Sequence, residues 1–136
     1  MMMLPAVRLE QITTAPSVLL VEDEVVVRAL LAEELRGAGM QVTEAASADE
    51  AWAYLQAGGV ADLLFSDVRM PGSMDGLALM RLVRRAFPAV KIVMTSGNIG
   101  PFDVGQFDGF LPKPFAFSKA VLIAAHLLGV EPPETP

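Results

Sequence analysis

Asp67 closes the apolar run Leu63-Leu64-Phe65-Ser66 and is followed at once by Val68-Arg69-Met70-Pro71-Gly72, so a carboxylate stands where a buried strand meets a Pro-Gly turn. A charge held there needs compensation. Glu22 and Asp23 follow a second apolar run, Ser17 to Val21, in the same manner. Three carboxylates brought together repel, and a hard divalent cation is the simplest remedy. Mg2+ takes oxygen ligands in octahedral geometry, which suits a corner without sulfur or imidazole. Thr95 ends a third run, and Lys113 stands between Pro112 and Pro114 after a fourth. A fixed ammonium and a hydroxyl donor opposite a metal are what the equatorial oxygens of a phosphoryl group need during transfer. Asp67 then becomes a candidate nucleophile forming an acyl phosphate. Plainer readings exist: Glu22 and Asp23 could simply begin a helix, whose dipole favours anions, Lys113 could be a solvated loop lysine, and Thr95 a strand-end cap. Asp67, on a different strand, needs the same explanation as the acidic pair and favours the metal.

The elements that must position these residues are legible as alternating periods. Strands are expected over Ser17–Val21, Met40–Glu44, Asp62–Asp67, Lys91–Met94 (ending on Thr95-Ser96-Gly97) and Gly109–Leu111. Val27, Leu30, Leu31 and Leu35 mark a helix that runs to Gly37 and Gly39. Ser47 and Glu50 form a capping box for a second helix, which stops at Gly58-Gly59. Asp75 caps a third, carrying Leu77, Met80 and Val83, and a last helix spans about Phe117 to Leu128. Strand and helix thus alternate about five times, which argues for an α/β doubly wound parallel sheet with its crevice at the carboxyl ends of the strands. All the candidate residues lie at such ends.

Bulk properties narrow the function classes. A chain of 136 residues with 53% apolar composition suits one domain. No cysteine is present, which excludes disulfides and thiolate chemistry. A net charge of −6 and no basic run give no electrostatic footprint for direct nucleic-acid binding. No run is apolar enough to span a membrane, and the N-terminus lacks a signal-peptide pattern, so a cytoplasmic location is expected. Residues 1–16 read as a leader, 17–129 as the folded domain and 130–136 as a Pro-rich disordered tail.

Five blocks in order, Val18-Leu19-Leu20-Val21-Glu22-Asp23-Glu24, Ser66-Asp67-Val68-Arg69-Met70-Pro71, Met74-Asp75-Gly76, Met94-Thr95-Ser96 and Phe110-Leu111-Pro112-Lys113-Pro114-Phe115, resemble CheY-like receiver domains of two-component response regulators. The resemblance spans Ser17 to Leu128. It implies a flavodoxin-like sheet of order 2-1-3-4-5 and an Asp67 that accepts phosphate from the phosphohistidine of a histidine kinase or phosphotransfer protein. It further implies Mg2+ bound by Asp23, Asp67 and the backbone carbonyl of Arg69, with Glu22 acting mainly through water. Thr95 is similar to the switch hydroxyl, Lys113 to the lysine that pairs with the phosphoryl group, and Ser96 leaves that donor room. Arg69 and Gly97 occupy positions that tune phosphate lifetime in the family.

Several features depart from that pattern. Phe110 fills the aromatic switch position, where tyrosine is common, so a ring swing without a hydroxyl is left, beside the alternative of a core phenylalanine. Gly72-Ser73 makes the loop between Pro71 and Asp75 one residue longer than usual. The segment Asn98–Gly109 is glycine-rich and about one helical turn short, so the fourth helix is expected to be shortened or absent. The last helix has only Ser118, Lys119 and His126 as polar positions, which predicts burial on more than one side through a homodimer or a docked partner, unless the leader covers it. His126 reads as a surface residue. The resulting expectation is a free-standing receiver that signals to a downstream protein partner by contact and is no enzyme beyond its own phosphoryl transfer and slow autodephosphorylation. The rivals are a degenerate receiver acting as a constitutive interaction module and a small Mg2+-dependent phosphohydrolase, which would need a second acid/base and a substrate cap.

Overall fold

The computed structural model describes residues 15–98 and 104–131. Strands β1 (Ser17–Val21), β2 (Gln41–Ala45), β3 (Leu63–Asp67), β4 (Lys91–Ser96) and β5 (Gly109–Pro112) alternate with helices α1 (Val25–Gly37), α2 (Ala48–Gln56), α3 (Gly76–Ala86) and α4 (Phe117–Leu128). The strands form one parallel sheet of order β2-β1-β3-β4-β5, the order the resemblance implies. Side chains alternate across it. Leu19 and Val21 of β1 and Leu64 of β3 join Leu55, Leu79 and Val83 on the α2/α3 side. Val18, Leu20 and Phe65 join Leu31, Leu35, Val121 and Ala124 on the α1/α4 side. Coverage on both faces is why the central strands are continuous apolar runs.

Helix ends follow the expected chemistry. Ser47 Oγ accepts the Glu50 N–H at 3.1 Å, while Glu50 reaches back to the N–H of Ala46 rather than of Ser47. Asp75 Oδ1 accepts the Ala78 N–H at 2.8 Å. Strand bounds shift by a residue or two from the expected ones because the ladder, not the apolar pattern, ends them. Thus β4 continues through Ser96, whose carbonyl accepts the Lys113 N–H at 2.9 Å. Asp62 falls just outside β3, and its Oδ2 accepts the Ser17 N–H at 2.8 Å. In α1 the buried stripe is Leu31, Ala32 and Leu35, whereas Leu30 is 48% exposed. Leu30 stands about 100° around the helix from Leu31, off the face that meets the sheet.

Among the described residues the crossover from β4 to β5 holds only a 3-10 turn, Val104–Gln106. Phe107, 8% exposed, fills the α2/α3 core beside it and stacks on Phe110 with centroids 6.1 Å apart. Asp108 accepts the Ile92 N–H at 2.8 Å and pairs with Arg84 at 3.0 Å, tying the short crossover to β4 and α3. Phe107 as a plug and Asp108 as a latch hold the described part of the crossover.

Helix α4 spans the expected residues but is less bare than its composition suggests. Ala120, Val121, Ala124 and Ala125 are buried, and Ile123, Leu127 and Leu128 pack partly on the same core. Its outer face carries Ser118, Lys119, His126 and one large apolar side chain, Leu122, 52% exposed. The chain's own sheet takes up most of the apolar surface that sequence reasoning assigned to a partner. Gly129, at φ +69°, closes the helix, with Val130 N–H on the Ala125 carbonyl at 2.9 Å and its side chain on the core. Most of the leader expected over residues 1–16, namely 1–14, and with it any cover over α4, lies outside the described residues, as does the tail from 132 onward. Among the described residues no helix is long and apolar enough to cross a membrane.

Candidate phosphorylation and metal site

The site is built on the carboxyl ends of β1, β3, β4 and β5. Apolar strands carry their last residues out of the core together, so Glu22, Asp23 and Asp67 place carboxylate oxygens within 4.8 Å of one another. Glu22 is only 6% exposed. Its Oε2 accepts the Glu24 N–H at 3.1 Å, and its own N–H donates to the Ala45 carbonyl at 3.1 Å. Asp23 is exposed, and Asp67 is half-buried at the tip of β3. Its Oδ1 accepts the Arg69 N–H at 3.1 Å.

Lys113 arrives from the end of β5, where the Lys113–Pro114 peptide bond is cis. Its ammonium donates to Asp67 Oδ2 at 2.5 Å and to Glu22 Oε1 at 3.2 Å. Lys113 therefore pairs with two of the three carboxylates, Asp67 and Glu22. Burial, aided by the neighbouring Asp23, pushes the Glu22 carboxyl above its usual range even though the Glu24 amide and Lys113 favour its charge. Burial would lower the Lys113 ammonium, but its bonds to Asp67 and Glu22 outweigh this and raise it. The corner is short of positive charge, and its donors are all oxygen, so a hard divalent ion fits it.

Thr95 is 2% exposed and stands beside Asp67 in the parallel ladder, with its carbonyl accepting the Val68 N–H at 2.8 Å. Glu22, Asp23, Asp67 and Lys113 thus lie together, and Thr95 neighbours Asp67 in the ladder. Arg69 is exposed and meets Asp67 through its backbone. Phe110 is partly buried and packs against the core on the α2/α3 side, paired with Met94 in the ladder and stacked on Phe107.

Four supporting residues were given no role in the site from sequence. Arg28, one turn into α1, donates to the Glu22 carbonyl at 2.8 Å and pairs with Glu44 at 3.4 Å. Gly76 begins α3 directly under the site: a Cβ there would stand 1.8 Å from the Asp67 carbonyl oxygen. Its place after the N-cap Asp75 was the available signal. Asp49 and Ser73 also meet at the loop after Asp67.

Comparison with known proteins decides the family. A family model described as the response regulator receiver domain matches residues 18–125. The chain belongs to that family. This receiver is 35% identical over 114 residues to the DNA-binding transcriptional regulator NtrC of Salmonella typhimurium, covering 79% of this chain and 24% of that protein. It is 40% identical over 121 residues to the sensor kinase CckA of Brucella abortus, covering 82% of this chain and 12% of the kinase. The receiver therefore spans about a quarter or less of the length of these relatives. Among solved structures, the response regulator protein TrrA of Thermotoga maritima in complex with Mg(2+)-BeF superposes with a TM-score of 0.74 at 28% identity, covering 83% of this chain and 99% of that one. The chain is a signalling domain of two-component systems.

Proposed function

We infer that Asp67 is the phosphoacceptor of this receiver. The observation that carries the reading is the pairing of Asp67 with Lys113 at 2.5 Å inside a cluster that also holds Glu22 and Asp23. An Asp67 oxygen attacks the phosphorus of a phosphohistidine, the P–N bond breaks, and the imidazole leaves with its electron pair and takes up a proton. Lys113 and the Thr95 hydroxyl hold the transferred phosphoryl oxygens. Asp23, Asp67 and the Arg69 carbonyl hold Mg2+, with Glu22 through water. Bound there, Mg2+ neutralises the charge that crowds the acceptor. The Mg(2+)-BeF complex of TrrA supports this assignment.

The donor is a histidine kinase or phosphotransfer protein in the cytoplasm, and the message passes by contact with a downstream protein. Thr95 and Phe110 form the switch, Phe110 through its ring alone. A homodimer or a docked partner on α4 belongs to the same proposal; a monomer in light scattering at high concentration with α4 covered by residues 1–16 would remove it. Slow loss of phosphate is the domain's own chemistry.

Acetyl phosphate with Mg2+ is expected to add one phosphoryl group to the wild type and none to Asp67→Ala, read by intact-protein mass spectrometry. An unlabelled wild type favours a constitutive interaction module, the reading the short β4–β5 crossover supports. Sustained phosphomonoester hydrolysis favours a phosphohydrolase.

A further inference from the structure

The loop from β3 to α3 carries a clasp that the chemistry above does not use. Its inner part is tied to the site: Arg69 N–H to Asp67, Val68 N–H to the Thr95 carbonyl, and Gly76 N–H to the Val68 carbonyl at 2.9 Å. Its outer part, Pro71-Gly72-Ser73, is exposed. That part is held from α2. Asp49 Oδ1 accepts the Ser73 hydroxyl at 2.5 Å, and Asp49 Oδ2 accepts the Ser73 N–H at 3.2 Å. Gly72 makes the approach possible, since its φ is +107° and a Cβ there would stand 2.6 Å from Asp49 Oδ2.

Asp49 is not needed to cap α2, because the Ser47 side chain does so. Ser73 reaches back from this loop to the first turn of α2. An exposed loop pinned at its tip is ordered before a ligand arrives, so ordering it is no longer a cost of binding.

We propose that Asp49 and Ser73 are positioning residues of the phosphorylation site: their clasp keeps the β3–α3 loop down so that the Arg69 backbone stays against Asp67. The functional consequence rests on Asp67 being the Mg2+-dependent phosphoacceptor; the loop geometry does not. The test uses the full chain as wild type, Ser73→Ala, Ser73→Thr and Asp49→Asn. It reads amide hydrogen exchange at Arg69 without metal, and Mg2+ affinity by titration of the fluorescence of Trp52, which lies on α2 and is the sole tryptophan.

Ser73→Ala is expected to speed Arg69 exchange and weaken Mg2+ binding by about fivefold each, the loss of one solvent-exposed hydrogen bond. Asp49→Asn should fall between, and Ser73→Thr should match wild type. Wild-type exchange and affinity in Ser73→Ala would overturn the proposal, as would faster exchange with unchanged Mg2+ affinity, which leaves the clasp merely structural. Faster exchange in a protein whose wild type binds no Mg2+ supports the clasp and counts against the metal reading of Asp67.

Discussion

Glu22 and Lys113 show how the site is poised. Burial raises the Glu22 carboxyl, so this group's contribution to stability is complete below the ordinary carboxylate range, near ~4.3, and is lost as pH rises through its higher folded value. Lys113 is also raised, through Asp67 and Glu22 against its own burial, so its contribution persists below the ordinary lysine range and fades only above it. A charged Glu22 is therefore unfavourable in the metal-free corner, beside a favourable lysine. Glu22→Gln is expected to raise the thermal midpoint at pH 7 in EDTA, with the gain disappearing below about pH 4, and to weaken Mg2+ binding. A pH series of thermal melts with and without Mg2+ checks both parts; an unchanged or lower midpoint at pH 7 contradicts the first.

Strand tips and loop returns fix the geometry at the scale of elements. Helix α3 starts so close beneath β3 that Gly76 lies against the Asp67 carbonyl, and no rotamer can relieve a Cβ clash with backbone. Gly76→Ala is expected to destabilise by about 3 kcal/mol or more, beyond the usual range for overpacking against a side chain, and to slow phosphorylation of Asp67. Urea denaturation with an acetyl phosphate labelling time course measures both. By contrast, a Cβ at Gly109 would meet the far end of Ile123, 2.4 Å from its Cδ1, which can shift, so Gly109→Ala should be the milder change. The β4–β5 crossover belongs to this scale too. Phe107 and the Arg84–Asp108 pair hold it without a full helix among the described residues.

Across the whole molecule, Mg2+ held at the strand ends as proposed would couple to the stability of the sheet that brings those ends together. A ligand bound only by the folded state adds about 2.7 kcal/mol at 100 times its dissociation constant. Wild type should gain roughly that much in Mg2+, measured by chemical denaturation. Asp23 is exposed, so Asp23→Ala is expected to leave metal-free stability within about 0.5 kcal/mol while losing most of the Mg2+ gain. An equal gain in the variant would remove Asp23 from the metal site. Exposed apolar side chains gather on α1, at Val25, Val26 and Leu30, rather than on α4, where Leu122 stands alone.

Sequence by itself determined the alternation of strands and helices and the acidic strand ends. It also placed Thr95 and Lys113 at strand tips, because buried parallel strands must be apolar until they leave the core and a polar residue at that point is conspicuous. It marked the short β4–β5 crossover through its glycines, and the extra loop residue at Gly72-Ser73. It could not say what those two departures become. The Asp49–Ser73 clasp, the Arg84–Asp108 latch and the Phe107 plug join residues distant in the chain, and ordinary polar or aromatic residues carry no local period that pairs them. The facing of Leu30 and the cover over α4 were likewise decided by tertiary packing, since a helix that is apolar on several sides does not state which side meets the sheet.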